Sequence, residues 1–278
     1  MSNIVEVSNL TFGYSKVSKL FRDLDLSIKP GHIYGLLGLN GSGKTSLLKQ
    51  IIGLLFPEEG ECKVFDKPAG ERLPSVLSDI FVLPEEFELP PVSIRQFEEI
   101  WSPFYPYFNR EDFYQYLREL KVDEGQNLNK LSYGQKKKCL LAFGLASKVR
   151  LLLMDEPTNG LDIPSKSQFR KLLARSVTDD QAIVISTHQV RDLATLIDHM
   201  ILLHEGQVVF NNSLDVIASR LTFGTYSEPP EEAIYTEQYP GGYQTIIPGE
   251  TEETSVDLEL LFNGILEQPE NIKSALKE

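Results

Sequence analysis

The sequence predicts an α/β fold: a largely parallel sheet whose strands are joined by crossover helices. Three stretches carry that expectation. His32–Leu37 is a short apolar run that leads through the loop "GLNGSGKT" into a helical pattern from Ser46 to Leu55. Arg150–Met154 is a strand pattern, apolar after its first residue, closed by Asp155 and Glu156. From there to His204, short apolar runs alternate with helical spacing, and parallel strands are the arrangement that requires such crossovers.

Each element has its own local reason. Ile4–Leu10 and Leu24–Ile28 alternate apolar and polar residues, as half-buried strands do. Val76–Leu83 reads as a further strand. Pro84 to Lys130 changes character, with proline and aromatics (Trp101, Phe104, Tyr105, Tyr107) and two helical patterns, Ser93–Trp101 and Arg110–Leu120, the second N-capped by Asn109. This is a helical insertion, extending to about residue 148 once the next helix is included. Ser132 stands before that helix as its cap, and Lys136–Lys138 read as a mostly solvated helix face. The alternation then resumes: helix Ser165–Ser176, strand Ala182–Ser186, helix Gln189–Leu196, strand His199–His204, a turn at Glu205-Gly206 and strand Gln207–Phe210. From about Leu221 a tail begins, in which "YPGG" separates two strand patterns as a hairpin and Val256–Leu266 follows as a short amphipathic helix.

Bulk properties narrow the function. The chain has 278 residues and a formal net charge of −13, which argues against a nucleic-acid surface. From Leu221 onward there are twelve acidic residues against two basic ones, so the tail, residues 221–278, holds most of the negative charge. The two cysteines, Cys62 and Cys139, form no metal or disulfide spacing and read as thiols of a reducing compartment. The N-terminus does not read as a signal peptide, and no apolar run reaches membrane-spanning length. A membrane role would need another chain to supply the membrane part.

The chemistry lies in the loops. Gly38 to Thr45 fits G-x-x-x-x-G-K-[ST] between a strand and a helix, the phosphate-loop context. Its glycines let successive backbone N–H groups converge on phosphate oxygens at a helix N-terminus. Lys44 adds charge and Thr45 a hydroxyl for Mg²⁺. Asp155, at the carboxyl end of an apolar strand, is placed to hold Mg²⁺ through its water shell, and Glu156 to polarise an attacking water. His188 follows the next strand and is a γ-phosphate contact by position, although a lone histidine there also serves as a cap or turn residue. Tyr14 reads equally as a ring stacked on a purine or as a surface turn aromatic. Glu85 and Glu86 lie where the core gives way to the insertion; a solvated acidic turn is the plainer reading there.

In combination, Tyr14, "GLNGSGKTSLL", "LSYGQ", "LLLMDEPTNGLD" and "STH", in that order, resemble the ATP-binding subunit of ATP-binding-cassette (ABC) transporters over residues 1–220. The resemblance implies a P-loop NTPase with a mixed, mainly parallel core sheet, antiparallel N-terminal strands, a helical subdomain at about 84–148 and a small C-terminal extension. It implies that Tyr14 stacks on adenine and that Asn40, Gly41, Ser42, Gly43, Lys44, Thr45 and Ser46 cradle ATP. Thr45, Asp155 and Glu85 would serve Mg²⁺, Glu156 would be the catalytic base and His188 the switch histidine. Ser132, Gly134 and Gln135 would belong to a signature motif that contacts the γ-phosphate on the opposite subunit, and Asp162 would couple the two sites. Two positions depart from the family pattern: Tyr133 where the signature usually has Gly, and Glu85 where Gln is common. The implied protein is an ATPase on the cytoplasmic face of the membrane, a homodimer or paired with another ATPase subunit, powering a separate membrane permease, in the manner of bacterial exporters. Its alternatives are a soluble ABC ATPase and a non-catalytic regulatory subunit.

Overall fold

The structure, a computed structural model, describes residues 2–249 and 255–276. Strands β1 (Val5–Phe12) and β2 (Phe21–Ile28) pair antiparallel, and β3 (His32–Leu37) enters a second sheet. Helix α1 (Lys44–Ile51) begins two residues before its expected start and ends four before its expected end. Strands β4 (Glu59–Val64) and β5 (Lys67–Pro68) return to the first sheet, giving the order β2-β1-β4-β5. The stretch expected as one strand, Val76–Leu83, is divided. Pro74 opens a short helix α2 (Pro74–Leu77), and only Ile80–Leu83 is strand β6. Proline suits the first turn of a helix because its missing N–H has no partner there anyway.

The insertion holds α3 (Ile94–Trp101), α4 (Arg110–Glu119) and α5 (Tyr133–Ala146). Each is capped from its sequence: Ser93 and Gln96 form a capping box on α3, the Asn109 side chain accepts from Asp112 N, and Ser132 and Gln135 form a second capping box on α5. The aromatics divide. Phe81, Phe97, Tyr105, Phe108 and Phe113 surround Phe143 of α5 at centroid distances of 4.8–5.8 Å. Phe104 and Tyr107 are exposed, and Trp101 is 44% exposed.

The core then continues through β7 (Leu151–Asp155), α6 (Ile163–Ser176), β8 (Ala182–Thr187), β9 (His199–His204) and β10 (Gln207–Ser213). The segment expected as a helix, Gln189–Leu196, forms only a single tight turn at Val190–Asp192. Val190, Leu193 and Leu196 are buried, so the apolar spacing that suggested a helix records anchoring of a connecting loop. The second sheet has the order β10-β9-β3-β8-β7-β6, with β9, β3, β8, β7 and the edge strand β6 parallel and β10 antiparallel at the other edge.

Beyond α7 (Leu214–Ala218) lie β11 (Leu221–Tyr226), β12 (Tyr235–Tyr239) and β13 (Gly242–Pro248), a three-stranded antiparallel sheet ordered β11-β13-β12. Helices α8 (Leu258–Glu267) and α9 (Pro269–Leu276) follow. Neither β11 as a sheet partner nor α9 was expected.

The central sheet is buried on both faces, and its period of two divides its side chains between two cores. Ile33, Leu152, Met154, Ile183 and Ile185 face the insertion, α6 and the tail. Tyr34, Leu36, Leu151, Leu153 and Val184 face α1 and the N-terminal sheet. Tail residues Ile246, Leu261 and Ile265 belong to the first of these cores, so the acidic extension is packed on the molecule. Both cysteines are reduced and buried, Cys62 in the N-terminal sheet and Cys139 in α5, and burial pushes each thiol up to about 12.

Candidate active site

Parallel pairing places the carboxyl ends of β3, β6, β7 and β8 along one edge of the sheet, and a crevice outside such an edge is where α/β sheets bind ligands. The register is specific: Leu37 pairs with Thr187, Asp155 with Ser186 and Leu83 with Met154. The phosphate loop, the Asp155-Glu156 pair, the Thr187-His188 step and Glu85 therefore converge. They line a cleft of about 530 Å³ with Tyr14, Leu20, Asn40, Gly41, Gly43, Lys44, Thr45 and Ser46, within the range of roughly 300–1,000 Å³ usual for small-molecule sites.

The loop is shaped for phosphate. Gly41 and Gly43 hold φ of 80° and 107°, the left-handed region, and a Cβ on Gly43 would lie 2.6 Å from the Phe21 ring. Ser42 Oγ is buried without a protein hydrogen-bond partner, a polar atom that an anion in the cradle would satisfy. Lys44 Nζ donates to the carbonyls of Gly38 (2.8 Å) and Leu39 (3.2 Å), which leaves one ammonium proton for an oxygen in the cleft. Burial lowers the pKa of Lys44, opposed by the charges of Glu156, Asp155 and Glu85.

The carboxylates are held from behind. Thr45 Oγ1 donates to Asp155 Oδ2 at 2.6 Å, and Ser186 Oγ donates to Asp155 Oδ1. Glu156 has left-handed backbone, φ 45°. Its side chain accepts from Thr187 Oγ1 (2.9 Å), from His188 N (3.0 Å), and faces His188 Nδ1 at 2.7 Å. With Nδ1 engaged by a carboxylate, Nε2 is the imidazole atom left for a ligand. Hydroxyl and carboxylate oxygens form a donor set for a hard cation. Among the described residues no group of three or more His, Cys, Asp or Glu is placed to cage a metal.

The remaining residues singled out in the sequence sit elsewhere. Tyr14 is 69% exposed at the cleft mouth, with its hydroxyl 2.9 Å from Ser46 Oγ. Glu85 borders the cleft and accepts from Asn159 Nδ2 at 3.3 Å. Ser132, Gly134 and Gln135 do not line the cleft; Ser132 is exposed at the start of α5. Asp162 caps α6 by accepting from Ser165 N at 2.8 Å. The expectation that Lys136–Lys138 form a solvated face fails for Lys137, which is 1% exposed and donates to the carbonyls of Glu156 (2.6 Å) and Asn159 (3.1 Å). Lys137 lies four residues before Leu141 and seven before Gly144, on the buried side of α5, so helical periodicity carried the signal. Ser186 and Thr187 were also overlooked as supports of the carboxylates; their hydroxyls stand beside Asp155 and Glu156 because β8 pairs with β7.

The sequence model of the ABC transporter family matches residues 21–159. The chain belongs to that family. The SkfA peptide export ATP-binding protein SkfE of Bacillus subtilis is 30% identical over 213 residues, covering 74% of this chain and 87% of its own. The ABC transporter ATP-binding protein YtrB of the same organism is 28% identical over 200 residues, 71% of this chain and 68% of that one. A solved ATP-binding subunit of an ABC transporter superposes with a TM-score of 0.70 at 23% identity, over 77% of this chain and 91% of that one, and shares the fold. This ABC protein is thus an ATP-binding and ATP-hydrolysing subunit of the transporter type. Among its described residues no helix is long and apolar enough to cross a membrane.

Proposed function

We propose that this chain hydrolyses ATP·Mg²⁺ at a site completed by a second ATPase subunit, and that closing of this head-to-tail pair drives a separately encoded membrane permease, as part of an exporter. The observation that supports the reading is the separation of two motif sets: the phosphate loop, Asp155, Glu156 and His188 line one cleft, while Ser132 stands exposed, and Gly134 half-buried, outside it. A capped, solvent-facing helix N-terminus is an anion site with no anion of its own chain to hold. Paired head to tail, it meets the γ-phosphate of the other subunit.

In this reading Tyr14 stacks on adenine, residues 40–46 hold the phosphates, Lys44 neutralises the β/γ-phosphates, and Thr45 with Asp155, bordered by Glu85, holds Mg²⁺. The metal supplies charge stabilisation on the phosphate oxygens. Glu156, oriented by Thr187 and His188, takes the proton of the attacking water, and His188 Nε2 faces the γ-phosphate. Gln135 fixes Ser132 through the capping box, and Asp162 anchors the start of α6 beside the subunit boundary. Residues 1–220 carry every one of these groups, with the helical subdomain at about 84–148, and 221–278 is an extension.

An exposed groove of about 720 Å³, lined by Leu54, Leu77, Trp101, Phe104 and Tyr105 among others, supports docking of an apolar partner segment such as a permease loop. The export direction is supported by the printed function of SkfE, and in this reading the chain works at the cytoplasmic face of the membrane. Energy transfer is then a population shift, because ATP favours the closed pair.

The two-chain site is tested by complementation. S132R and E156Q chains are each expected to be inactive. Mixed, they form one site with an intact Glu156 from the first chain and an intact Ser132 from the second, so ATP hydrolysis returns. A mixture as inactive as its components would sink the head-to-tail reading.

A further inference from the structure

The two departures from the family pattern, Tyr133 and Glu85, touch each other. The Tyr133 hydroxyl donates to the backbone carbonyl of Glu85, and its ring stacks on Phe87 at 5.2 Å with 21° between planes. One turn further along α5, Lys137 Nζ lies 5.7 Å from the Tyr133 ring centroid and donates to the carbonyls of Glu156 and Asn159. Asn159 in turn donates from Nδ2 to Glu85 Oε1. The first turn of α5 also lies directly on that loop: a Cβ on Gly134 would be 3.0 Å from Gly160 O. The signature turn is therefore fastened at three points to the loop that carries Glu156 and to the junction at Glu85, all within one chain.

We propose that Lys137 and Tyr133 are positioning residues that lock the signature turn to the catalytic loop of the same chain, so that each chain's grip on its partner's nucleotide moves with its own Glu156. The proposal deepens the two-chain site of the preceding subsection and rests on it. Glu156 adopts left-handed backbone that a glutamate does not favour, and its carbonyl accepts from Lys137 Nζ at 2.6 Å as well as from Asn159 N, of its own loop, at 3.2 Å. Removing Lys137 leaves that carbonyl only the longer bond from Asn159 N and cuts both ties between the Glu156 loop and α5. A buried ammonium with two carbonyl partners is also costly to place unless those bonds are made, which explains why the side chain is fixed. Burial lowers the Lys137 pKa, and the charges of Glu85, Glu156 and Asp155 oppose that shift.

The test places K137M in one chain of the complementing mixture at a time. A chain carrying S132R and K137M, mixed with E156Q, forms a site whose own catalytic loop lacks Lys137. An S132R chain, mixed with one carrying E156Q and K137M, forms a site whose borrowed signature lacks it. Both mixtures are expected to lose at least about tenfold in kcat relative to S132R plus E156Q, with KM for ATP within about twofold. K137R, which keeps a donor, is expected to restore most of the loss. Y133F, which removes only a half-exposed hydroxyl and so retains the fold, is expected to lower kcat by about two- to threefold in both arms. Loss in only one arm, or in neither, overturns the coupling. Failure of the S132R plus E156Q reference mixture instead refutes the two-chain site itself.

Discussion

The cleft side and the signature side of the molecule carry motifs of equal clarity, yet they are built differently. On the cleft side each reactive group has a fixed partner within the chain: Asp155 between Thr45 and Ser186, Glu156 among Thr187 and His188, Lys44 on the loop carbonyls. On the signature side, Ser132 and Gln135 satisfy only each other, and Ser132 faces solvent. A site complete in itself needs preorganised electrostatics. A site lent to another molecule needs only a rigid, exposed frame, and the capping box supplies that.

The sharpest way to break the comparison is at Glu156. E156Q is expected to lower kcat by about 10²–10⁴-fold while nucleotide binding persists and an ATP-bound dimer accumulates, read by steady-state hydrolysis and size-exclusion chromatography; turnover at the normal rate would remove Glu156 as base. Next in size is S132R. Its expected effect is loss of ATP-dependent dimerisation with ATP affinity unchanged within about twofold, and a mutant that still dimerises with ATP contradicts the opposite-subunit role. Tyr14 comes third. Y14A is expected to weaken ATP binding by about 1–3 kcal/mol if the ring stacks on adenine, measured by titration calorimetry, and no change would leave the turn-aromatic reading. The smallest effect is expected from Y14F, which removes one exposed hydroxyl contact with Ser46 and should alter binding by less than about threefold.

What could be read from the sequence follows the range of the interactions involved. The phosphate loop, the helix caps Asn109 and Ser132, and the Asp155-Glu156 strand end depend on residues a few positions apart, so a single stretch contains the whole reason. Strand β4 depends on β1, more than forty residues away by the pairing of Val5 with Val64, and "EGECKV" has too little alternation to announce itself. Val76–Leu83 reads as one strand, but Ser78 and Asp79 interrupt its apolar residues, α2 takes the first pair and β6 the rest, and only the sheet decides where the strand begins. Lys137 was misread for the opposite reason. Charge suggested solvent, while the helical period already put it on the buried side.

The packed tail decides what a truncation would do. Its residues Ile246, Leu261 and Ile265 are at most 1% exposed and share a core with the sheet. Removing residues 221–278 exposes the apolar surface they cover, including that of the turn at Val190, just beyond His188, against which α8 packs. The shortened chain is expected to melt at lower temperature and to lose activity before it loses ATP binding, a contrast measurable by thermal unfolding with and without nucleotide.

Cys62 and Cys139 give the molecule one more property. With thiol pKa values of about 12, both are almost wholly protonated at neutral pH, and thiolate is the reactive form. Both side chains are also buried, so the native chain is expected to react slowly with alkylating reagents. A single cysteine introduced at an exposed position such as Val17 or Ile163 is expected to take most of a spin label or fluorophore, and the closing proposed for a pair of chains becomes a distance that can be followed without first stripping the protein of its own sulfur.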